Sequence, residues 1–113
     1  MPKKSAKSKR VSVDRPVSKE DQPALSWTFL SNHSHVLICL ARDPEIRMRD
    51  VANLVGITER ATIRIITDLE GAGYIRKERV GRRNRYTIVV DKNLRHPLEA
   101  HHSIRGILAL AKP

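Results

Sequence analysis

Apolar residues at helical spacing predict a first helix directly after Ser31. Val36, Leu37 and Leu40 would lie on one face of this helix, and Ser31 is a good N-cap residue because its hydroxyl can accept a hydrogen bond from the first turn. Pro44 cannot continue a helix, since it lacks a backbone N–H and clashes with the preceding turn. One helix is therefore predicted between Ser31 and Pro44.

A second and a third helix follow, and the sequence predicts that a tight turn joins them. The second contains the apolar positions of residues 51–55, and Asp50 is favourable in its first turn because a helix N-terminus is electropositive. Gly56 can adopt the left-handed conformation that ends a helix sharply. Thr58 is the predicted N-cap of the third helix, which closes at about Gly71.

Two β-rich runs come directly after the third helix. They comprise residues 74–80 and 85–90, and the GRRN segment between them contains Gly81 and Asn84, which adopt turn conformations more readily than other residues. The pattern predicts a β-hairpin whose turn consists of residues 81–84.

The two ends of the chain differ from this central region of residues 25–93. Residues 1–24 contain seven cations, three acids and three prolines without periodicity, and are predicted to be a disordered basic tail. In residues 94–113 Pro97 marks a helix start. The apolar residues of this last helix, which are predicted to bind a second copy of the chain, are Leu98, Ile104, Ile107, Leu108 and Ala111.

The charge of the chain narrows the class of partner. The 113 residues include 22 Lys and Arg against 12 Asp and Glu, a formal net charge of +10. Such an excess favours a polyanion, with nucleic acid first and an anionic membrane surface second. No apolar run approaches the about 20 residues that span a bilayer, and no apolar signal segment follows the basic N-terminus. A cytoplasmic protein without a membrane partner is therefore expected.

The order of helix, short extended piece (Ile46 to Met48), helix, tight turn, helix and hairpin, from about Phe29 to Val90, resembles the winged helix-turn-helix domain. The stretch is similar to small bacterial transcription regulators of the MarR and ArsR type, and the closing LRHPLEAHH is similar to the tails of short regulators of this kind. The resemblance implies a mainly α fold with a small β-hairpin, a three-helix core plus wing, and an additional C-terminal helix. It also implies a DNA-binding homodimer with the third helix in the major groove.

The third helix is predicted to have a buried and an exposed face. Its buried residues would be Thr62, Ile65, Ile66 and Leu69, which leaves the opposite side to Glu59, Arg60, Ile63, Arg64 and Thr67. Arg60 and Arg64 are one turn apart, and each could pair with both acceptors of a guanine edge. Thr67 is expected to reach a phosphate. An exposed Ile63 could contact a thymine methyl group; otherwise the helical phase is shifted.

The hairpin is expected to be the wing, and it is dense in positive charge. Arg82, Arg83 and Arg85 are predicted to contact phosphates or to enter the minor groove, and further cations at positions 76, 77 and 79 would extend this contact. Because side chains alternate along a strand, at most about half of the six can face one way. The alternative is that these charges only protect an exposed sheet edge from aggregation.

The aromatic residues are expected to serve packing. Tyr74 and Tyr86 would pack the hairpin, and Trp27 and Phe29 would help to close the core. Binding of RNA or single strands is not favoured, since such modules usually present several stacking aromatics on one surface.

No catalytic motif, cofactor site or metal site is predicted. The five histidines form no pair at i, i+4, and Glu99 with His102 could act as ligands only across a dimer seam. Cys39 lies among aliphatic residues and is expected to be a buried, inert thiol. The chain contains neither a phosphate-binding Gly-rich loop nor a nucleophile elbow, so an enzyme is not expected.

The resemblance and the charges together predict a transcription regulator that reads double-stranded DNA in a sequence-specific way. The first alternative is a winged helix that binds a protein partner, with charges that only confer solubility. The second is a chromosome-organising protein that binds DNA without sequence preference.

Overall fold

The computed structural model describes residues 25–112, so the predicted basic tail of residues 1–24 lies outside the described residues. Three helices are followed by a hairpin and a short C-terminal helix. In chain order the elements are α1 (Asn32–Arg42), α2 (Met48–Val55), α3 (Glu59–Gly71), β1 (Ile75–Val80), β2 (Arg83–Ile88), α4 (Arg105–Leu108) and a 3₁₀ helix (Ala109–Ala111). Within this described part, no helix has the length and apolar character needed to cross a membrane.

The ends of α1 are those predicted from local residues. The Ser31 hydroxyl accepts a hydrogen bond from the backbone N–H of Ser34 at 3.3 Å, and the helix ends at Arg42, two residues before Pro44. After the helix, the Asp43 carboxylate accepts a hydrogen bond from the backbone N–H of Glu45 at 3.1 Å. This turn leads the chain directly into the segment before α2.

The tight turn between α2 and α3 depends on Gly56 and Thr58. Gly56 has φ 87°, a left-handed conformation that costs an L-residue about 1–2 kcal/mol, and its N–H donates to the Ala52 carbonyl at 2.8 Å. The Thr58 hydroxyl accepts from the backbone N–H of Ala61 at 3.0 Å. Both predicted helix signals are confirmed, and together they set the angle at which α3 leaves the turn.

The core lies between the three helices and the base of the hairpin, and α3 packs against α1, α2 and β1. Its members are Val36, Leu37, Cys39, Leu40, Val51, Ile65, Ile66, Leu69, Tyr74, Ile75, Tyr86 and Ile104. The two tyrosines pack where they were predicted. Burial of this mainly aliphatic set is the main source of stability for the domain.

The hairpin is tighter than predicted. β1 and β2 pair antiparallel, with Val80 opposite Arg83 and Arg79 opposite Asn84. The turn therefore consists of two residues beginning with Gly81 at φ 63°, and the predicted four-residue turn with a second strand starting at Arg85 was wrong. Gly81 accommodates the positive φ of a two-residue hairpin, so Asn84 pairs within the strand instead of turning.

The last helix is shorter than predicted. The helix starts at Arg105 and not at Pro97, because the chain between them turns back on itself. Two backbone hydrogen bonds of 2.9 Å cause this: the N–H of Leu94 donates to the His102 carbonyl, and the N–H of Ile104 donates to the Lys92 carbonyl. Ile104 is 1% exposed and belongs to the core, so its side chain is not available at the surface for the predicted dimerisation.

Trp27 and Phe29 do not close the core, contrary to the prediction. Their side chains are 67% and 91% exposed, and they contact each other edge to face with ring centroids 4.8 Å apart. Ile104 is buried against the core from the C-terminal side instead, and α4 packs on α1. The segment before α1 is thus left at the surface.

Three helices with a tight turn before the third, followed by a two-stranded hairpin, form a winged helix-turn-helix fold. Besides its pairing with β1, β2 makes one further backbone hydrogen bond, from the Tyr86 N–H to the Pro44 carbonyl at 2.9 Å. This bond holds the hairpin against the loop after α1, next to α3. The predicted fold class, with an additional C-terminal helix, is confirmed.

Candidate nucleic-acid interface

The exposed face of α3 has the residues that its periodicity predicts. All four residues predicted to be buried are buried, and the opposite side presents Glu59, Arg60, Ile63, Arg64 and Thr67 to solvent. Ile63 is 51% exposed. The predicted helical phase is therefore confirmed, and an apolar side chain lies beside the two arginines on an otherwise polar surface.

Arg60 and Arg64 are available for binding. Among the described residues, neither side chain has a hydrogen bond or an ion pair, and they lie one helical turn apart on the exposed face. A guanidinium has five N–H donors in a planar fork and needs acceptors to replace water. These two residues can therefore meet paired acceptors in a groove without first breaking an internal contact.

Thr67 is less available than predicted. Its hydroxyl donates to the Ile63 carbonyl one turn earlier, at 3.0 Å. A phosphate oxygen only accepts hydrogen bonds, so a contact there would require the hydroxyl to turn away from its own helix. The predicted phosphate contact of Thr67 stays a prediction, with this competing bond against it.

The buried side of α3 is anchored by polar contacts as well as by packing. The hydroxyl of the fully buried Thr62 donates to the Thr58 carbonyl at 3.0 Å, so it is satisfied inside the core. The His33 ring and the Asp68 carboxylate, 2.9 Å apart, join the first turn of α1 to α3. These bonds hold α3 at a defined position, as a helix that inserts into a groove requires.

The cations of the hairpin, which we call the wing (residues 75–88), divide between its two faces as alternation predicts. Residues directly opposite each other share a face, so Arg76, Arg83 and Arg85 lie on one side. Lys77 and Arg79 lie on the other side, together with the buried Tyr86. One wing face therefore has three cations, and Arg82 lies in the turn at the wing tip.

Glu45 holds two of these cations. Its carboxylate accepts from Arg85 Nη2 at 2.8 Å and Nε at 3.2 Å, and its backbone carbonyl accepts from Arg83 Nη1 at 3.2 Å. Within the described chain, Arg82 and Arg76 have no such hydrogen bond or ion pair. Arg82 is thus the wing-tip cation that can reach an external anion directly, whereas Arg83 and Arg85 also fasten the wing to the loop after α1.

The role of Glu45 was missed in the sequence, because the residues that it binds are 38 and 40 positions away. The residues next to a single acid in a short loop do not indicate that it forms an ion pair with a distant strand. The partner is brought near only when β2 pairs with the backbone of Pro44.

Cys39 and the histidines form no reactive centre in the described part of the chain. Cys39 is buried, as predicted, and its burial raises the pKa of the thiol to about 11. Residues 25–112 contain no cluster of three or more His, Cys, Asp or Glu side chains that could hold a metal ion. At neutral pH the Cys39 thiol is therefore protonated and poorly nucleophilic.

A capped tight turn, an exposed arginine pair on the helix behind it and a basic hairpin at its side define the DNA-binding class of winged helix-turn-helix domains. Residues 31–76 match the family model described as winged helix-turn-helix DNA-binding. This part of the chain is therefore similar to a DNA-binding domain, and the match includes α3 and ends at the start of the wing.

The chain is also similar to part of a longer protein. The chain is 30% identical over 70 residues to an uncharacterized protein of Methanocaldococcus jannaschii; the aligned part is 61% of this chain and 15% of that protein. The chain therefore spans a small part of the length of this relative. No solved structure matches the chain.

Proposed function

We propose that this protein is a transcription regulator that reads the sequence of double-stranded DNA as a homodimer, in the manner of small bacterial regulators of the MarR or ArsR type. We expect the protein to be located in the cytoplasm, in association with the chromosome. The observation that carries the proposal is the pair Arg60 and Arg64, exposed one helical turn apart and without an internal partner among the described residues. A helix that only packed within the protein would not need two unpaired guanidinium groups on one face.

The major groove offers matching chemistry for this face. A guanine presents two acceptors there, O6 and N7, which one arginine can bind together, and a good pair of this kind discriminates between bases by about 1–3 kcal/mol. Ile63 lies beside the arginines and fits the thymine methyl group, since burying both apolar surfaces removes them from water. The face of α3 therefore supports recognition of guanine next to thymine.

The wing supplies contacts that do not depend on sequence. Arg82 at the tip, with Arg76 along the strand, would bind phosphates or enter the minor groove, and Arg83 with Arg85 would orient the wing and share in the contact. If about six phosphates are neutralised per bound unit, log affinity falls against log salt with a slope of about −5. A flat salt dependence would contradict this part of the proposal.

In the proposed homodimer, the C-terminal region would form part of the contact between the two copies. Of the residues predicted for dimerisation, Leu98 is exposed, and Ile107 and Ala111 are half-buried. Leu108 packs partly against the core, and the buried Ile104 supports the region from inside. The surface that remains at this end is small, so it would be only part of a dimer contact.

The test is selection of bound sequences from a random duplex library at near-physiological salt with competitor DNA. A base-reading dimer is expected to enrich a palindrome with half-sites about one helical turn, ~34 Å, apart. The variant Arg60→Ala should lose that enrichment while it keeps binding at low salt. Tight binding without enrichment would instead show a chromosome-organising role, and no binding would favour a protein partner.

A further inference from the structure

The largest apolar residues at the surface precede α1. Leu25 and Trp27 are each 67% exposed and Phe29 is 91% exposed, and the two aromatic rings meet edge to face at 78°. We call the segment of residues 25–30 the aromatic strap. Small proteins rarely keep such a group of large apolar side chains in water unless it binds something.

The charge of the surrounding sequence distinguishes between partners for the strap. Between Asp21 and Arg42 the chain contains no Lys, Arg, Asp or Glu, although the protein as a whole carries +10. A nucleic-acid site needs cations among its aromatic residues, and the strap has none. Two copies of a strongly basic protein repel each other, and this repulsion is smallest where uncharged surfaces meet.

The area of the strap suits the centre of a small interface. Large apolar side chains can bury about 150–250 Å² each, so these three, at their observed exposure, offer about 400 Å² per protomer. A two-fold contact uses the same patch on both copies and would bury about 800 Å² in total, roughly half of a standard stable interface. A weak dimer is therefore expected, which two half-sites on one DNA molecule would strengthen.

We propose that the aromatic strap binds the aromatic strap of a second copy of this chain, with Trp27 and Phe29 at the centre of a two-fold interface. This inference completes the homodimer of the proposed function and rests on it for its purpose. The contact itself is a property of the protein without DNA, so the two can fail separately.

Self-association is measured on the full chain without DNA, by sedimentation velocity from about 5 to about 300 µM, a range that brackets a weak dimer. Trp27 is the only tryptophan of the protein and reports its own burial through emission wavelength and quenching by acrylamide. We expect dimers to increase with concentration, with a blue shift of the emission and a several-fold loss of quenching. Phe29→Ser should abolish both changes.

The variant for comparison is Leu98→Ser, which removes an apolar side chain, 80% exposed, from the C-terminal part of the proposed dimer contact. Because the strap forms the centre of the interface, Leu98→Ser should weaken the dimer much less than Phe29→Ser does. Both variants should still bind duplex DNA at low salt, because the exposed face of α3 and the wing are unchanged. If the wild-type chain does not bind duplex DNA, the proposed function is overturned, but the inference on the dimer is not affected.

Four results would overturn the inference. A monomer at all concentrations would do so, as would a dimer that Phe29→Ser leaves unchanged. The third is a Trp27 that is shielded from acrylamide at every concentration, which would show that another part of the same chain covers it. Quenching of Trp27 by oligothymidylate in preference to duplex would identify a base-stacking site instead of a dimer contact.

Discussion

At the scale of single residues, Glu45 separates the cations of the wing into two groups. Arg85 and Arg83 are bound by its carboxylate and its carbonyl, whereas Arg82 has no internal partner within the described residues. An exposed ion pair of this kind contributes little to stability, ~0–1 kcal/mol. Its larger effect is on binding, because an acid close to the wing opposes the approach of phosphates.

Replacement of Glu45 by Gln is therefore expected to strengthen non-specific DNA binding. The variant loses a negative charge beside the wing and releases the Arg85 guanidinium, so the slope of log affinity against log salt should become steeper by about 0.9, one further phosphate contact. Fluorescence anisotropy with a random duplex at several salt concentrations measures this slope.

The control is Asp91→Asn, which removes an equal charge from the exposed pair with Arg105, 2.7 Å apart near α4. The proposed interface does not include this pair, so its effect on the slope should be small. Equal slopes for both variants would show that only the net charge matters and that Glu45 has no specific place beside the wing.

Cys39 provides a second test at the residue scale, this time of the core. Burial raises the pKa of its thiol from 9.0 to about 11, so between these values the unfolded chain loses a proton that the folded chain keeps. The folded state is then the one with more protons, and the free energy of unfolding falls as pH rises from about 9 to about 11. Urea unfolding of wild type and Cys39→Ala across this range should show a steeper fall for wild type. Parallel curves would place the thiol in contact with water.

At the scale of elements, the position of α3 depends on the tight turn before it. Gly56→Ala adds a side chain at φ 87° and is expected to destabilise the fold by about 1–2 kcal/mol, since L-residues resist this conformation. The matched control is Gly71→Ala at the last position of α3, where an added Cβ would have no atom within 4 Å apart from its chain neighbours and the backbone of its own helix. There the helix should gain up to about 1 kcal/mol. Thermal unfolding of both variants measures whether each substitution lowers or raises the stability. Destabilisation by both would mean that the added volume matters more than the backbone conformation.

The same elements show what a sequence can predict and why. Ser31, Gly56 and Thr58 act on their own neighbours along the chain, so the helix ends that they mark followed from the sequence. The exposed face of α3 followed from its 3.6-residue period. These helix ends and this helix face are local properties, and their predictions were correct.

Most of the wrong predictions concern contacts between distant parts of the chain, and the exception is the hairpin turn, where Gly81 begins a two-residue turn and Asn84 pairs within the strand. The late start of α4 is due to a hydrogen bond from Ile104 to Lys92, and Ile104 lies in the core whereas Trp27 lies at the surface. The bonds of Glu45 to Arg83 and Arg85 arise only after β2 has docked beside Pro44. Periodicity and turn residues contain no information on such pairings, so the wing contacts and the C-terminal path could not be predicted.

At the scale of the whole molecule, positive charge is distributed beyond the α3 face and the wing. Residues 1–20 include seven cations and two acids, a net +5, which is half of the total charge of +10. Cations that track along phosphates add affinity through release of counterions, and this contribution is the same for every DNA sequence. The N-terminal sequence should therefore set how tightly the protein binds, and the face of α3 should set where it binds.

Deletion of residues 1–20 is expected to weaken binding to all duplexes by the same factor and to flatten the salt slope, because fewer counterions are released. Anisotropy titrations against a selected operator and a random duplex, at several salt concentrations, give both quantities. A variant with these residues in scrambled order serves as control and should bind as wild type does, since the order of the charges has no part in the expected effect. A loss confined to the operator, or a scrambled variant that behaves like the deletion, would show that the N-terminal residues recognise particular bases, and base recognition would then extend beyond α3.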